Sequence, residues 1–459
     1  MVARDELPVV VIGAGPVGLA AAAHLRERGL DVVVLEAADQ ASASVAAWGH
    51  IRLFSPWRYN IDAAARRLLA LTGWHEPGLE VNPTGAELVR DYLAPLAATP
   101  ELAPRIRLGH RVVGVTRRGV DKTRSLGRDR RPFLVRTVTA DGGVEDVLAR
   151  AVLDASGTFR QSNPLGDGGL VASGEAEALA CGAITGPLPD VLGIDRDRFA
   201  GRSTLVVGMG HSAANTLLSL VELAEQEPST RILWAIRGGS ARRLFGGGQD
   251  DELPARGLLG TRLQEATNSG RVTLMKWTTL EAFEMEGSSV RVRGVSREEA
   301  FDLNLDNVVN ATGFRPDLDM LREVRLDLDP VVESPSRLAE LIDPNHHSCG
   351  TVPPHGEALL RQPEEGFYLV GMKSYGRAPT FLLATGYEQV RSVAAALAGD
   401  RAAADKVALD LPATGVCSTD TTADGTESEC CGTSESGPQP VTLGFATGVL
   451  HGRSADLLT

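Results

Sequence analysis

The stretch PVVVIGAGPVGL, residues 8–19, decides the fold of this chain. Residues 8–12 form a β-branched run that is typical of a buried parallel strand, and an Ala-rich segment with high helix propensity follows at residues 19–28. A second apolar run, residues 31–35, ends at Glu36. A strand, a Gly-x-Gly-x-x-Gly turn, a helix and a second strand predict the βαβ unit of a Rossmann-like dinucleotide-binding domain.

Each glycine of this turn has a separate task. Gly13 permits the tight turn, Gly15 lets the backbone approach a pyrophosphate, and Gly18 lets the helix pack closely on the strand. The helix N-terminus directs free N–H groups and the positive end of its dipole at the phosphates, and Pro16 of the turn is expected to contact the cofactor. Glu36 is placed to bind both hydroxyls of an adenosine ribose and to repel a 2′-phosphate. The site is therefore predicted to bind FAD or NAD rather than NADP, with a plain glycine turn of an α/β protein as the alternative.

A second copy of the pattern lies in the middle of the chain. Its strand, turn, helix and next strand lie at residues 203–207, 208–213, 214–225 and 231–236. We expect Gly208, Gly210 and Ser212 of the turn GMGHSA to hold a second pyrophosphate. Ala213 stands where the first copy has its third glycine, a replacement that the pattern permits.

The second copy ends on an arginine where the first ends on a glutamate. Arg237 is placed to pair with a 2′-phosphate, which favours NADPH over NADH. A solvated basic face formed by Arg237, Arg242 and Arg243 is the alternative. Two nucleotide sites of opposite ribose chemistry in one chain predict a flavoprotein that binds FAD and is reduced by NADPH.

Later strands set the domain organisation. They are predicted at residues 152–154, 307–310 and 366–371, and a helix at residues 380–397 follows them. We predict an α/β fold of two Rossmann-like domains and a tail. The FAD-binding domain is expected to span residues 1–170 and 305–400, and the NADPH-binding domain, residues 200–304, is inserted in it. Residues 410–459 are expected to form a flexible tail. Four residues that follow the strands are expected to line the flavin, namely Ser156, Gly157, Gly371 and Met372.

The order of these motifs resembles that of class B flavoprotein monooxygenases and, more distantly, of thioredoxin-reductase-like enzymes, over about 390 residues. The segment WGHIRLFSPW, residues 48–57, is similar to the one that follows the ribose-binding acid in those enzymes, so the resemblance makes Trp48 and Arg52 expected cofactor contacts. A closer resemblance is to flavin-binding monooxygenases encoded with actinobacterial arsenic-resistance genes. It rests on residues 208–213, 343–351 and 371–380.

The resemblance implies that NADPH reduces the flavin, which then reacts with O2 to oxygenate a soft nucleophile, a sulfur or arsenic centre. Arg377 is expected to stabilise charge at the flavin ring. Residues 182–199 lack the histidine of the pattern F-x-G-x-x-x-H-x-x-x-(Y/W), which argues against oxygenation, whereas Met372 replaces an Asp typical of the reductases. Two alternatives stay open: an NADPH-dependent flavin reductase of a thiol-bound metalloid, and a flavin-bearing metalloid-binding protein.

The chain has five cysteines and no C-x-x-C motif. Cys181 is predicted to be a small buried residue. Cys349, just before the last flavin strand, is predicted to be a substrate-facing thiol, with metal ligation beside neighbouring histidines as the alternative. Three thiols of the tail are predicted to bind a soft thiophilic ion such as As(III), namely Cys417, Cys430 and Cys431. A disordered tail without function fits the same composition.

Composition narrows the partners. The formal net charge is −13, with 46 Lys and Arg against 59 Asp and Glu, and no apolar run reaches the roughly 18 residues of a membrane span. These features argue against a nucleic-acid or membrane partner and leave a small-molecule or metalloid substrate. Few cysteines, in odd number, indicate a reducing cytoplasm. A homodimer is the default for such an enzyme, although no residue of the sequence demonstrates one.

Overall fold

The computed structural model describes residues 4–241, 254–344, 352–378 and 381–409. The strands are β1 Val9–Ile12, β2 Val32–Leu35, β3 Ile106–Arg107, β4 His110–Arg117, β5 Phe133–Thr139, β6 Val144–Ala149, β7 Ala151–Asp154, β8 Ile184–Thr185, β9 Ser203–Val207, β10 Arg231–Ala235, β11 Thr273–Met275, β12 Thr278–Glu286, β13 Ser289–Ser296, β14 Glu299–Leu305, β15 Asn307–Asn310 and β16 Phe367–Leu369. The helices are α1 Pro16–Glu27, α2 Ala43–Ala46, α3 Ala63–Ala70, α4 Gly85–Leu88, α5 Ala94–Ala97, α6 Glu175–Ala180, α7 Arg196–Phe199, α8 His211–Gln226, α9 Pro254–Asn268, α10 Ser336–Ile342, α11 Glu357–Leu360, α12 Leu383–Leu397 and α13 Arg401–Asp405.

Five parallel strands form the first sheet, in the order β16-β7-β1-β2-β3. Every residue of β1 is buried, as expected for a β-branched strand covered on both faces. In-register pairing places Ile12 beside Leu35 and Asp154, so that three strands end together at one edge of the sheet. The chain leaves this sheet after β7 and returns to it at β16.

The second sheet is also parallel, in the order β11-β10-β9-β15-β8, and the intervening segment of the chain forms it. The predicted α/β fold, with one Rossmann-like unit inserted in another, is therefore confirmed. Strands β8 and β15 lie outside residues 200–304 but pair within this sheet, so the sheet extends beyond those bounds on both sides.

Helices and small antiparallel sheets cover the two parallel sheets. Helix α1 packs between α3 and α12 on one face of the first sheet, where its run of alanines permits close approach. The antiparallel sheet β4-β5-β6 covers the other face and shares a core with it, in which Ile12, Val115 and Phe133 are buried. In the second unit, α8 and α9 pack together, and the sheet β12-β13-β14 lies over the opposite side.

Two further features bear on the sequence predictions. Cys181 is exposed rather than buried, because it caps the C-terminal end of the short helix α6, whose buried face carries Glu175 and Ala178 instead. None of the helices in the described ranges combines the length and the apolar character that crossing a membrane requires. The tail, residues 410–459, lies outside the described residues.

A buried ionic cluster joins the antiparallel sheet of the first unit to the segment before β16. Arg117 Nε donates to Glu364 Oε1 at 2.8 Å, and Arg128 Nε donates to Glu364 Oε2 at 2.9 Å. All three side chains are at most 4% exposed. Burial favours the neutral acid, but the hydrogen bonds from Arg128 and Arg117 outweigh it and hold the pKa of the Glu364 carboxyl below its ordinary value.

Replacing Glu364 with glutamine should make the protein less sensitive to acid. Because the folded pKa of Glu364 is depressed, its contribution to stability is present above the unfolded pKa of about 4.3 and is lost as the pH falls through the folded value. The variant Glu364→Gln should lower the free energy of unfolding at pH 7 by about 2 kcal/mol or more. Urea unfolding at pH 7 and below pH 4 checks this, and an equal loss at both pH values would contradict it.

Candidate active site

An open cavity of about 540 Å³ lies at the carboxyl ends of β1, β2 and β7. The parallel strands end at the same edge of the sheet, so the turns and loops that follow them form the walls. Eight of the residues predicted from sequence line this cavity: Gly13, Gly15, Pro16, Glu36, Ser156, Gly157, Gly371 and Met372. Residues from both ends of the chain thus meet at one site.

The glycine turn after β1 has the geometry expected of a phosphate cradle. Gly13 has a φ of +96°, and a Cβ there would lie 2.9 Å from the carbonyl oxygen of Ala155. A Cβ on Gly18 would lie 1.9 Å from the carbonyl oxygen of Gly13, so only glycine lets α1 pack this closely. A Cβ on Gly15 would meet no atom within 4 Å, which leaves open space in front of the helix N-terminus. That space and the helix dipole fit the pyrophosphate of FAD.

Glu36, at the end of β2, is fixed in this cavity by two backbone hydrogen bonds. Ala14 N donates to Glu36 Oε2 at 2.8 Å, and Ala38 N donates to Glu36 Oε1 at 2.9 Å. The side chain is half-buried and lines the cavity. Its carboxylate therefore has a fixed position and keeps free lone pairs for the hydroxyls of a ribose.

A buried ion pair that the sequence did not predict supports the opposite wall. Lys373 Nζ donates to Asp154 Oδ2 at 2.6 Å and to Ser156 Oγ at 3.0 Å. Ser156 Oγ donates in turn to Asp154 Oδ1 at 2.6 Å, and the side chains of Lys373 and Asp154 are both 0% exposed. The three groups tie the loop after β7 to the 3₁₀ turn after β16, Gly371–Tyr375. A lysine is fully buried almost only when it is paired with an acid. In the sequence, the acid at the end of a predicted strand, Asp154, was the feature that could have indicated such a pair.

A second polar network fixes the turn that carries Gly371. Gly371 has a φ of +68°, and its N–H donates to Gln389 Oε1 at 2.8 Å. Gln389 Nε2 donates to Ser374 Oγ and to His355 Nε2, each at 2.9 Å, and His355 Nδ1 donates to the carbonyl oxygen of Pro353. Burial lowers the pKa of the His355 imidazole, which agrees with an unprotonated Nε2 that accepts a hydrogen bond. The turn beside the cavity is therefore rigidly held.

The remaining walls come from segments without a nucleotide-binding motif. They are residues 42–45, His110, Arg111, Val112, Phe159, Arg160, Gln161, Asp317, Met320, Phe381 and Leu383. Their distance along the chain from the glycine turn left no local pattern that could have predicted them. The apolar members among them supply a surface for a flat ring system.

The second glycine turn repeats the geometry of the first. Gly208 has a φ of +133°, and a Cβ there would lie 2.0 Å from the carbonyl oxygen of Ala311. A Cβ on Gly210 would meet no atom within 4 Å, and α8 begins at the next residue with Ser212 in its first turn. Arg237 follows β10 and is exposed. The predicted second phosphate site therefore has the required open space and helix N-terminus.

Three predicted site residues do not reach the first cavity. Trp48 packs against Gly85, where a Cβ would lie 2.7 Å from its ring, and Arg52 forms a 3.6 Å ion pair with Glu87. Arg377 Nε donates to Glu333 Oε2 at 2.9 Å, and this pairing raises the pKa of the Arg377 guanidinium. None of the three lines the cavity, because each is engaged by residues outside it.

The predicted thiol sites lie outside the described residues. They are Cys349 and the metal-binding set Cys417, Cys430 and Cys431. Within the described ranges, no group of three His, Cys, Asp or Glu side chains could hold a metal ion.

Comparisons with known proteins agree with this geometry. Residues 8–160 match the family model of FAD-dependent oxidoreductases. No curated protein matches the sequence.

Solved structures share the fold at low sequence identity. Bacillithiol disulfide reductase from Bacillus cereus is 17% identical with a TM-score of 0.62, over 86% of this chain and 99% of that one. The FAD-bound cadaverine monooxygenase DfoA from Erwinia amylovora is 12% identical with a TM-score of 0.61, over 91% and 100%. An ornithine N-hydroxylase from Kutzneria is 17% identical with a TM-score of 0.55, over 87% and 100%. The family model that matches residues 8–160 therefore agrees with the cradle that the glycine turn and Glu36 build in the same part of the chain.

Proposed function

We propose that the protein is an NADPH-dependent flavoprotein monooxygenase that oxygenates a soft nucleophile, a sulfur or arsenic centre. The observation that carries this is the pair of glycine turns with opposite charges at the ends of the following strands. Glu36 lies in the first cavity, whereas Arg237 is exposed beyond β10. The acid suits the unphosphorylated ribose of FAD, and the arginine suits the 2′-phosphate of NADPH.

The residues of the chain bind and orient the flavin, which supplies the redox chemistry. Gly15 leaves room for the pyrophosphate, and Glu36 binds the adenosine ribose. Gly371, whose N–H donates to Gln389, lines the cavity together with Met372 and Phe381. When FAD is bound, these supports would hold its ring in one orientation towards the substrate.

In the proposed reaction, O2 is reduced by four electrons, two from NADPH and two from the nucleophile. One oxygen atom forms a bond to the sulfur or arsenic centre, and the other leaves as water together with NADP⁺. For arsenite, NADPH, O2 and one proton give arsenate, NADP⁺ and water. Monooxygenases and hydroxylases among the structural neighbours support O2 as the acceptor, as does the lack of a C-x-x-C motif in the sequence.

A reductase is the second candidate. The lack of a histidine at residues 182–199 and the shared fold of bacillithiol disulfide reductase favour it. In that reaction both electrons of NADPH pass through the flavin to a disulfide or a thiol-bound metalloid, and O2 is not consumed.

Oxygen consumption distinguishes the two functions. The FAD-loaded enzyme is mixed with NADPH and either arsenite or a small thioether, and NADPH, O2 and product are measured together. The monooxygenase predicts that all three change in a 1:1:1 ratio and that ¹⁸O2 labels the product. Equal NADPH oxidation without O2, given a disulfide or thiol-bound arsenic as acceptor, would establish the reductase instead.

Arg237→Ala should weaken the use of NADPH selectively. Without the guanidinium, a 2′-phosphate loses a charge-assisted hydrogen bond, so the KM for NADPH should rise roughly ten-fold or more while the KM for NADH changes little. Steady-state kinetics with both nucleotides check this. The variant Arg322→Ala, which removes one charge at another exposed arginine, is the matched control. Equal effects on NADPH and NADH would contradict the role given to Arg237.

A further inference from the structure

A tryptophan lies beside Arg237 at the carboxyl edge of the second sheet. Strands β10 and β11 pair in parallel, with Ala235 opposite Met275. Arg237 and Trp277 each lie two residues beyond the end of their strand. The two segments remain adjacent beyond the strands, because Trp277 N donates to the carbonyl oxygen of Gly238 at 3.2 Å.

The backbone of Trp277 is held in an unfavourable conformation. Its φ is +54°, in the left-handed region that bulky residues rarely adopt, and its side chain is 61% exposed. The other four tryptophans of the sequence are buried or half-buried. A residue that is strained and exposed contributes little to a core, so packing does not account for a tryptophan at this place.

The neighbouring backbone makes room for the ring. A Cβ on Gly239 would lie 2.3 Å from Trp277 Cζ2 and 2.9 Å from Nε1, so the indole lies directly against a residue without a side chain. The carbonyl oxygen of Trp277 accepts from Arg297 N at 3.3 Å, which helps to fix the backbone. The indole is thus supported by Gly239 on one side, while the residue as a whole is 61% exposed.

We propose that Trp277 is the stacking platform for the adenine ring of the nicotinamide dinucleotide. An exposed indole beside an arginine offers an aromatic face to the base and a cation to the adjoining phosphate. In a Rossmann-like unit the adenosine lies at the end of the second strand, which here is β10. This inference rests on the proposed use of NADPH, and it adds the residue that binds the base.

The proposal separates Trp277 from Arg237 by nucleotide preference. Adenine is common to NADPH and NADH, so loss of the indole should weaken both by the same factor. Loss of Arg237 should weaken NADPH alone. Trp277→Gly is the informative substitution, because glycine adopts a φ of +54° without strain. The backbone is then not disturbed, so a structural role of the indole would appear as a lower Tm.

Calorimetric titration of the FAD-loaded protein with adenosine 2′,5′-bisphosphate and with NADH tests the proposal. Trp277→Gly should weaken both roughly 5- to 100-fold with an unchanged or higher Tm, and Trp277→Phe should restore most of the affinity. Leu126→Ala, at a side chain 85% exposed in the loop between β4 and β5, is the control and should change neither.

The outcomes separate this inference from the function on which it rests. If the wild-type protein binds both ligands and Trp277→Gly binds them equally well, the stacking role is wrong and the use of NADPH stands. A lower Tm with unchanged affinity would also overturn it in favour of a structural role. If the wild-type protein binds neither ligand, the proposed function itself fails.

Discussion

Lys373→Met should destabilise the protein by about 3–5 kcal/mol, because it leaves the Asp154 carboxylate buried and without its cation. Both side chains of this pair are 0% exposed, and Asp154 is the last residue of β7, an inner strand of the first sheet. Ser156, which lines the cavity, would lose its bond to Lys373 as well, so FAD retention should fall together with stability. Urea unfolding with excess FAD measures the first effect, and the flavin content of the purified protein measures the second.

A double variant and a surface variant make this prediction specific. Asp154→Asn with Lys373→Met removes both charges, so it should be less destabilised than Lys373→Met alone. Arg322→Ala breaks an ion pair with Asp319 in which both side chains are about four-fifths exposed, and it should leave the unfolding midpoint unchanged. Equal stability of Lys373→Met and the wild-type protein would show that the buried pair does not support the cavity wall.

Valine at two positions of the same glycine turn should produce two different defects. At Gly18 the new Cβ would lie 1.9 Å from the carbonyl oxygen of Gly13, so Gly18→Val should destabilise the protein by roughly 3 kcal/mol or more, with or without FAD. At Gly15 a Cβ meets no atom within 4 Å, and its φ of −77° and ψ of −175° suit valine. Gly15→Val should therefore fold normally and yet bind FAD roughly ten-fold or more weakly, because the side chain fills the space for the phosphates.

The two variants serve as controls for each other. Thermal unfolding of the flavin-free proteins and titration with FAD are the measurements. Loss of stability in flavin-free Gly15→Val would show that the open space has a structural purpose. Full FAD affinity in Gly15→Val would contradict the assignment of this turn as the pyrophosphate site.

The βαβ units could be predicted from sequence because their signal is local. Val9–Ile12, Gly13, Gly15, Gly18 and Glu36 lie within one continuous stretch, and backbone geometry alone assigns a task to each glycine. The strand that ends at Asp154 was also predicted, as was the last strand, although it ends at Leu369 rather than at residue 371. Parallel pairing of these two strands brings the residues that follow them to the same cavity. Local periodicity and turn chemistry were sufficient for this part of the site.

The rest depends on contacts between distant segments. Lys373 is buried only because Asp154 lies beside it, although 219 residues separate the two along the chain. Arg377 was expected at the flavin, but Glu333 engages it at a place that no local pattern indicates. Cys181 was expected in the core, but a helix of six residues ends just before it and leaves it exposed. Side-chain pairing of this kind follows from tertiary packing rather than from sequence spacing.

Anaerobic titration of the FAD-loaded protein with NADPH tests the central claim most directly. We expect the absorbance of the oxidised flavin to bleach with one equivalent of NADPH, and to bleach at higher concentrations with NADH. Admitting O2 in the presence of the nucleophile should then restore the absorbance and form one equivalent of oxygenated product. A flavin that NADPH never bleaches would contradict the account and indicate a flavin-bearing binding protein instead.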